Sequence, residues 1–273
     1  MARLDRLGPA KEVAQIGAAI GREFSQSLLA AVVSKPEVEL NTALHRLIAA
    51  GLLFRQGVPP DATYLFNHAM VQDAAHGTLL REPRRALHAR IAHTLETQFA
   101  EITENQPELL ARHCTEAGMI EKAAGLWGKA GQRSLARSAF VEAAAQLTRA
   151  LTQILTLSPT SVSRRLQIKF QIALVYALLN TKGAVAAETI AALEQARFLI
   201  ERAEALDEPP DYWQLFSVLN GFCIASFVAF NGYSMRETCR TVAGSRSEAR
   251  SGHFAHHGAS PHRIVADVDR RKR

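Results

Sequence analysis

Apolar positions along this chain follow two periods, and the change between them divides it. From Ala10 to Ile20 the residues Val13, Ile16 and Ile20 recur on one helical face, and Gly21 stops the run. Phe24 precedes Ser25, which reads as an apolar staple beside an N-cap for a short helix over Ser27–Val33. Pro36 opens a third helix, because proline is favoured at the first helical position. Its Leu40, Ala43, Leu44, Leu47 and Ile48 keep the 3.6-residue spacing until Gly51. The pattern then shortens to strand-like Leu52–Arg55 and Thr63–Phe66, separated by the turn residues Gly57-Val-Pro-Pro-Asp61. Three helices and a two-stranded hairpin over 1–70 predict a winged-helix-like module.

From His68 the helical period returns and persists. It predicts helices over 68–80, 83–100, 107–118, 120–133, 137–157, 161–181, 187–206 and 211–230, with prolines at 83, 107, 159 and 209–210 between them. The 68–80 segment is apolar or small on most faces and is expected to be buried on more than one side. Helix pairs with short turns predict a solenoid of the tetratricopeptide type over 71–235. Trp127, Gly131, Ala143, Leu147 and Ala150 fall at spacings of that repeat of about 34 residues, with Leu147 in place of the usual aromatic. The chain is thus expected to be mainly α. Trp127, Trp213 and the phenylalanines at 216, 222, 227 and 230 read as core, since they recur near helical spacing.

After Met235 the period disappears into Ser, Arg, Gly and His, so 236–273 reads as a disordered basic tail of out-of-frame character. That tail holds nine Lys/Arg against four Asp/Glu and accounts for most of the net charge of +6. The body is nearly neutral, which disfavours a nucleic-acid face. At 273 residues and 48% hydrophobic composition, the chain is long enough for about two cored domains. No apolar stretch approaches the roughly 20 residues of a membrane helix, and no secretory h-region opens the chain. Cys114, Cys223 and Cys239 fit no disulfide or zinc spacing, so a cytoplasmic location without membrane contact is expected.

Candidate chemistry is sparse. Ala123–Ala130 approaches a P-loop but lacks its first glycine and its hydroxyl. No paired carboxylates suit cyclase metals. Asp73 sits in a small, apolar helix and reads as a local cap or ion-pair partner. His68, His76, His88, His93 and His113 show no metal-ligand spacing and read as ordinary surface or interface residues. His253, His256, His257 and His262 read as part of a solvated tail. Glu37 and Glu39 at the start of the third helix oppose phosphate, so DNA binding is disfavoured. No catalytic, cofactor-binding or metal residues are expected.

Several segments carry a family resemblance: Ala2–Phe24, Leu47–Leu53, Pro60–Tyr64, His68–Leu80, Pro107–Gly118 and Lys129–Arg133. Together they resemble the C-terminal part of bacterial class III adenylate/guanylate cyclases that carry an AAA/STAND-type ATPase module. The resemblance implies a winged helix and helical repeats that contact protein partners and gate domains absent from this chain. It also implies structural, not catalytic, roles for the motif residues His68, Gln72, Asp73, Trp127, Gly131, Ala143 and Ala150. His76 stands where that family usually has tyrosine. The chain begins where the family's ATPase ends and stops partway into the repeats, which reads as a truncated fragment. Two alternatives remain open: a family label of cyclase or ATPase without the active-site residues, and a winged-helix DNA-binding regulator.

Overall fold

A computed structural model describes residues 7–206, 212–230, 236 and 240. Apart from Arg236 and Arg240, the expected basic tail lies outside the described residues, together with its histidines. Among the described residues the chain is mainly helical, with twelve helices and three short strands. Its contacts divide it into two units, Met1–Ala123 and Ala124–Arg273. The boundary expected at 70/71 falls instead inside a helix that packs within the first unit.

The first unit is built around α1 (Ala10–Ile20). Small residues at 10, 14, 17, 18 and 19 accompany Val13, Ile16 and Ile20, and all eight are buried. Gly17 admits the Phe24 ring: a Cβ there would lie 2.7 Å from its Cζ. Phe24 belongs to β1 (Glu23–Ser25), a strand that the periodicity did not reveal because three residues show no alternation. It pairs antiparallel with β3 (Thr63–Phe66), which also pairs with β2 (Leu53–Gln56), giving the order β1-β3-β2. The expected hairpin is thus the larger part of a three-stranded sheet, whose inner face stacks Phe24 on Tyr64 at 5.9 Å.

Ser25 then caps α2 (Gln26–Val32), its Oγ accepting from the Leu28 N–H at 3.2 Å. Helix α3 (Glu37–Ala49) buries Leu40, Ala43, Leu44 and Leu47 and ends before Gly51, whose φ of +70° costs a glycine little. The buried Tyr64 hydroxyl donates to Gln26 Oε1 at 3.1 Å, and Gln26 Nε2 donates to Asn41 Oδ1 at 3.1 Å. This short relay satisfies the polar groups that the sheet brings into the core.

Helices α4 (Ala69–Gly77), α5 (Arg81–Gln98), α6 (Ala100–Asn105) and α7 (Pro107–Glu116) complete the unit. Gln72 Nε2 donates to the Ala18 carbonyl at 3.2 Å, and Gln15 Nε2 donates to Thr78 Oγ1 at 2.7 Å, which ties α4 to α1. The expectation that this segment is buried on several sides is corrected. Only Ala75 of α4 is buried, while Met70 is 82% and Leu80 76% exposed. Short side chains lowered its polarity without giving it partners all round. Ala75→Asp is therefore expected to destabilise the first unit by several kcal/mol, on the order of a buried unpaired charge. Met70→Asp is expected to be nearly neutral. Urea midpoints of the two variants check this, and equal shifts would refute the one-sided packing.

The division between units falls within α8 (Ile120–Ala136), which is followed by α9 (Phe140–Ile154), α10 (Ser161–Thr181), α11 (Ala187–Glu204) and α12 (Tyr212–Val228). Ser138, at φ +59°, makes the tight turn that delays α9 to Phe140. Thr160 and Ser163 form a reciprocal capping box at the start of α10. Ile168 and Val175 of α10 meet Leu193, Ala196 and Ile200 of α11 and Leu215, Val218 and Leu219 of α12 in one core. The reading of all the late aromatics as core is also corrected. Trp127 is buried, but Trp213 is 79% and Phe227 66% exposed, and Phe230 is exposed beyond the helix. Helix α12 is uncharged and spreads its apolar residues around its axis, so its periodicity cannot say which face packs.

Candidate functional site

The first unit brings three histidines from three helices into one chain of imidazoles. α4 supplies His76, α5 supplies His88 and α7 supplies His113. His76 Nε2 lies 3.3 Å from His88 Nε2, and His88 Nδ1 lies 2.9 Å from His113 Nδ1. His88 is 2% exposed and His113 fully buried, whereas His76 is half-buried. Each buried histidine occupies the apolar stripe of its helix. His88 aligns with Ile91, Ala92 and Leu95, and His113 aligns with Leu110, Cys114 and Ala117. The expectation of ordinary surface or interface histidines fails for this pair. His93 is exposed on α5, and His68 is exposed ahead of α4, so neither joins the chain.

Two hydrogen bonds among three rings allow two orders of donation when His88 is neutral. A neutral imidazole has one donor and one acceptor nitrogen. If His88 donates through Nε2 to His76, it accepts at Nδ1 from His113. If it donates through Nδ1 to His113, it accepts at Nε2 from His76. Both orders take His88 as neutral, since a protonated His88 would donate to both neighbours, and both leave His113 Nε2 buried without a partner. The electrostatics agree. Burial pushes His113 down to about 3, with the Arg112 guanidinium and then His88 adding to the shift. Burial also lowers His88 to about 4, followed by His76, Arg112 and Arg84. His76 is lowered by burial and Arg84, against the opposing charge of Glu116.

Both arginines are held by backbone oxygens. Arg112 donates through Nη2 to the Ile20 carbonyl at the end of α1, and Arg84 Nη2 donates to the Leu79 carbonyl at 2.9 Å. The arrangement can hold rings neutral and shift protons along two bonds. It does not offer converging lone pairs to a cation, because the nitrogens face one another in sequence. Among the described residues, no group of three or more His, Cys, Asp or Glu is placed to hold a metal ion. Cys114, beside His113, is buried, and burial raises its thiol pKa, which keeps the sulfur protonated.

The motif residues divide between the two units. His68 stands at the N-cap position of α4, where its carbonyl accepts from the Val71 and Gln72 N–H groups. Gln72 makes the bond to α1 described above. Asp73 is exposed and, among the described residues, makes no hydrogen bond or ion pair, contrary to the expected local pairing; its charge only raises His76. In the second unit Trp127 and Gly131 of α8 pack on α9, which carries Ala143 and Ala150. Trp127 is buried with the Arg149 guanidinium 4.7 Å from its ring centroid. Ala143, Leu147 and Ala150 are fully buried, and a Cβ on Gly131 would lie 2.6 Å from Leu147 Cγ. Sequence reasoning missed Gly128, whose Cβ would lie 1.9 Å from Phe170 Cζ. Its only sequence signal is its place three residues before Gly131 on the same helix. The P-loop-like string Ala123–Ala130 lies inside α8. Among the described residues no helix is long and apolar enough to cross a membrane.

Comparison with known proteins adds one relationship. No family model matches the chain, and no solved structure matches it. The chain is 30% identical over 216 residues to an uncharacterized protein of Rhizobium meliloti (strain 1021), a match that covers 77% of this chain. It spans 21% of that protein's length, so the similarity is to a segment of a longer polypeptide.

Proposed function

We propose that this chain is a non-catalytic regulatory and protein-interaction segment. In this reading a winged-helix-like module precedes a tetratricopeptide-like helical array. Both belong to the architecture of class III cyclases with an AAA/STAND-type ATPase, located in the cytoplasm. The observation that carries the reading is the α8–α9 contact. Trp127, Gly131, Ala143 and Ala150 are spaced as in the repeat; Gly131 meets Leu147 and Trp127 meets Arg149 across the two helices, and Ala143 and Ala150 are buried on the stripe of Leu147. Small residues at such a contact let two helices approach as a hairpin, and stacked hairpins present long faces to partners. The three helices and sheet of the first unit support the winged-helix part. The exposed Glu37 and Glu39 at the start of α3 weigh against a DNA-reading role.

Two measurements on the full chain test the proposal. Millimolar magnesium-ATP is expected to leave its melting temperature unchanged, because a ligand stabilises only through differential binding. Panning a random peptide library on the immobilised chain is expected to enrich peptides that bind saturably. A magnesium-dependent rise of several degrees would overturn the non-catalytic reading. A library that yields no binder would overturn the interaction reading, and salt-sensitive binding to duplex DNA would replace it with the regulator alternative.

A further inference from the structure

Helices α10 and α12 enclose an open groove of about 620 Å³ within the second unit. Its floor is apolar, formed among others by Ile172, Leu179 and Phe216. Its polar lining residues are Lys169, Tyr176 and Asn180 on α10, and Ser217 and Asn220 on α12. Lys169, Tyr176 and Asn180 are seven and four residues apart and therefore share one helical face.

The charge of the two walls is one-sided. Helix α10 carries Arg164, Arg165 and Lys169 and contains no carboxylate, and α12 contains no charged residue. Lys169 is exposed and, among the described residues, makes no ion pair. Asn180 gives one N–H to the Tyr176 carbonyl at 2.8 Å, which leaves its amide oxygen and second N–H for another partner. Asn220 is exposed on the opposite wall.

From this geometry we propose that the groove binds an acidic peptide segment with an apolar face. The inference rests on the interaction reading above and assigns that reading a place and a partner chemistry. Apolar side chains of the ligand would cover the floor, as a helix or strand covers a groove between helices. A ligand carboxylate would meet Lys169, where walls without acidic groups offer it no repulsion. The two asparagines, on facing walls, match the donor and acceptor pairs of a peptide backbone. A fatty-acid anion has the carboxylate and the apolar chain but nothing for those amides. A nucleic acid would need a row of cations, and the lining supplies one.

The test uses the full chain and a fluorescein-labelled, end-blocked peptide of Glu, Leu and Ala with leucines at helical spacing. A second peptide carries Lys at every Glu position. The acidic peptide is expected to bind roughly tenfold tighter than its basic counterpart, the scale of a partly exposed charge pair reversed in sign. Lys169→Glu is expected to invert the preference. Ala173→Phe, which fills the lining from α10, is expected to abolish binding of both peptides, with circular dichroism and melting showing that the variants fold. Equal binding of the two peptides overturns the proposal, as does a preference unmoved by Lys169→Glu, or dodecanoate that competes as well as the peptide. Library-selected peptides that bind but ignore both substitutions would sink the groove and leave the interaction reading standing. Failure of the acidic peptide together with an empty library would sink both.

Discussion

Acidification from pH 7 to pH 4 is expected to strip stability from the first unit, and the loss is expected to originate at His88 and His113. Their folded pKa values, about 4 and about 3, lie below the ordinary histidine value of 6.5. Between 6.5 and those values the unfolded chain binds protons that the folded unit refuses. Stability therefore rises with pH across this window and is fully present only above about 6.5. As pH falls, it drains away and levels off only below the folded values. One pKa unit corresponds to about 1.36 kcal/mol, so His88 alone implies a loss of about 3 kcal/mol.

His113 contributes in the same direction. The two rings share a hydrogen bond, so they titrate as a pair and their losses do not simply add. The groups that face them reinforce the effect: Arg112 and Arg84 repel a proton, while Glu116 and Asp73 act mainly on His76. Urea midpoints at several pH values, followed through the first unit, measure the slope. The double variant His88→Gln/His113→Asn is expected to flatten it between pH 6.5 and 4, whatever its stability at neutral pH. A slope equal to that of the native chain would assign the acid sensitivity to carboxylates and remove the histidine chain as its source.

Gly128→Val is expected to be the most damaging single substitution in the second unit. The new Cβ would overlap the Phe170 ring at 1.9 Å, and that ring belongs to a buried side chain. Overpacking of this severity costs about 3 kcal/mol or more. For a unit of this size that lowers the melting temperature by roughly 10 °C. Gly125, one turn earlier on α8, has nothing within 4 Å of its Cβ position. Gly125→Ala is therefore expected to be neutral or to stabilise by up to about 1 kcal/mol through helix propensity. Phe170→Leu alone leaves a cavity and costs stability. Combined with Gly128→Val it is expected to restore part of the loss, so the double variant should be more stable than the sum of the singles predicts. Strict additivity would show that the two residues do not press on each other.

Much of the secondary structure was legible because it depends on local rules. The stripe Leu40, Ala43, Leu44 and Leu47 marked α3, and those residues are buried. Ser25 announced a cap and makes it, and Gly51 announced a stop at positive φ. Prolines 107 and 159 lie beside real helix starts. The misses share a cause. Strand β1 exists only because β3 pairs with it, and three residues cannot carry a period. The boundary at 70/71 followed the change from strand-like to helical period, whereas the first unit runs on to Ala123.

The sequence by itself determined where helices could begin and end, and which residues were small enough for close contact. Those properties follow from backbone geometry and the spacing of side chains along one element. His88 and His113 stand at apolar spacing on their helices, a signal that the reading of them as surface or interface residues did not use. Only the tertiary structure decided that three helices aim His76, His88 and His113 at one another, since their separations of 12 and 25 residues carry no local rule. Only it decided that α4 packs on one side and that Trp213 and Phe227 stay exposed, because an element whose apolar residues spread around its axis names no preferred face. Only it set Gly128 against Phe170, and Lys169 and Asn180 across from Asn220. Burial and juxtaposition depend on which elements meet, and that is a property of the packed chain.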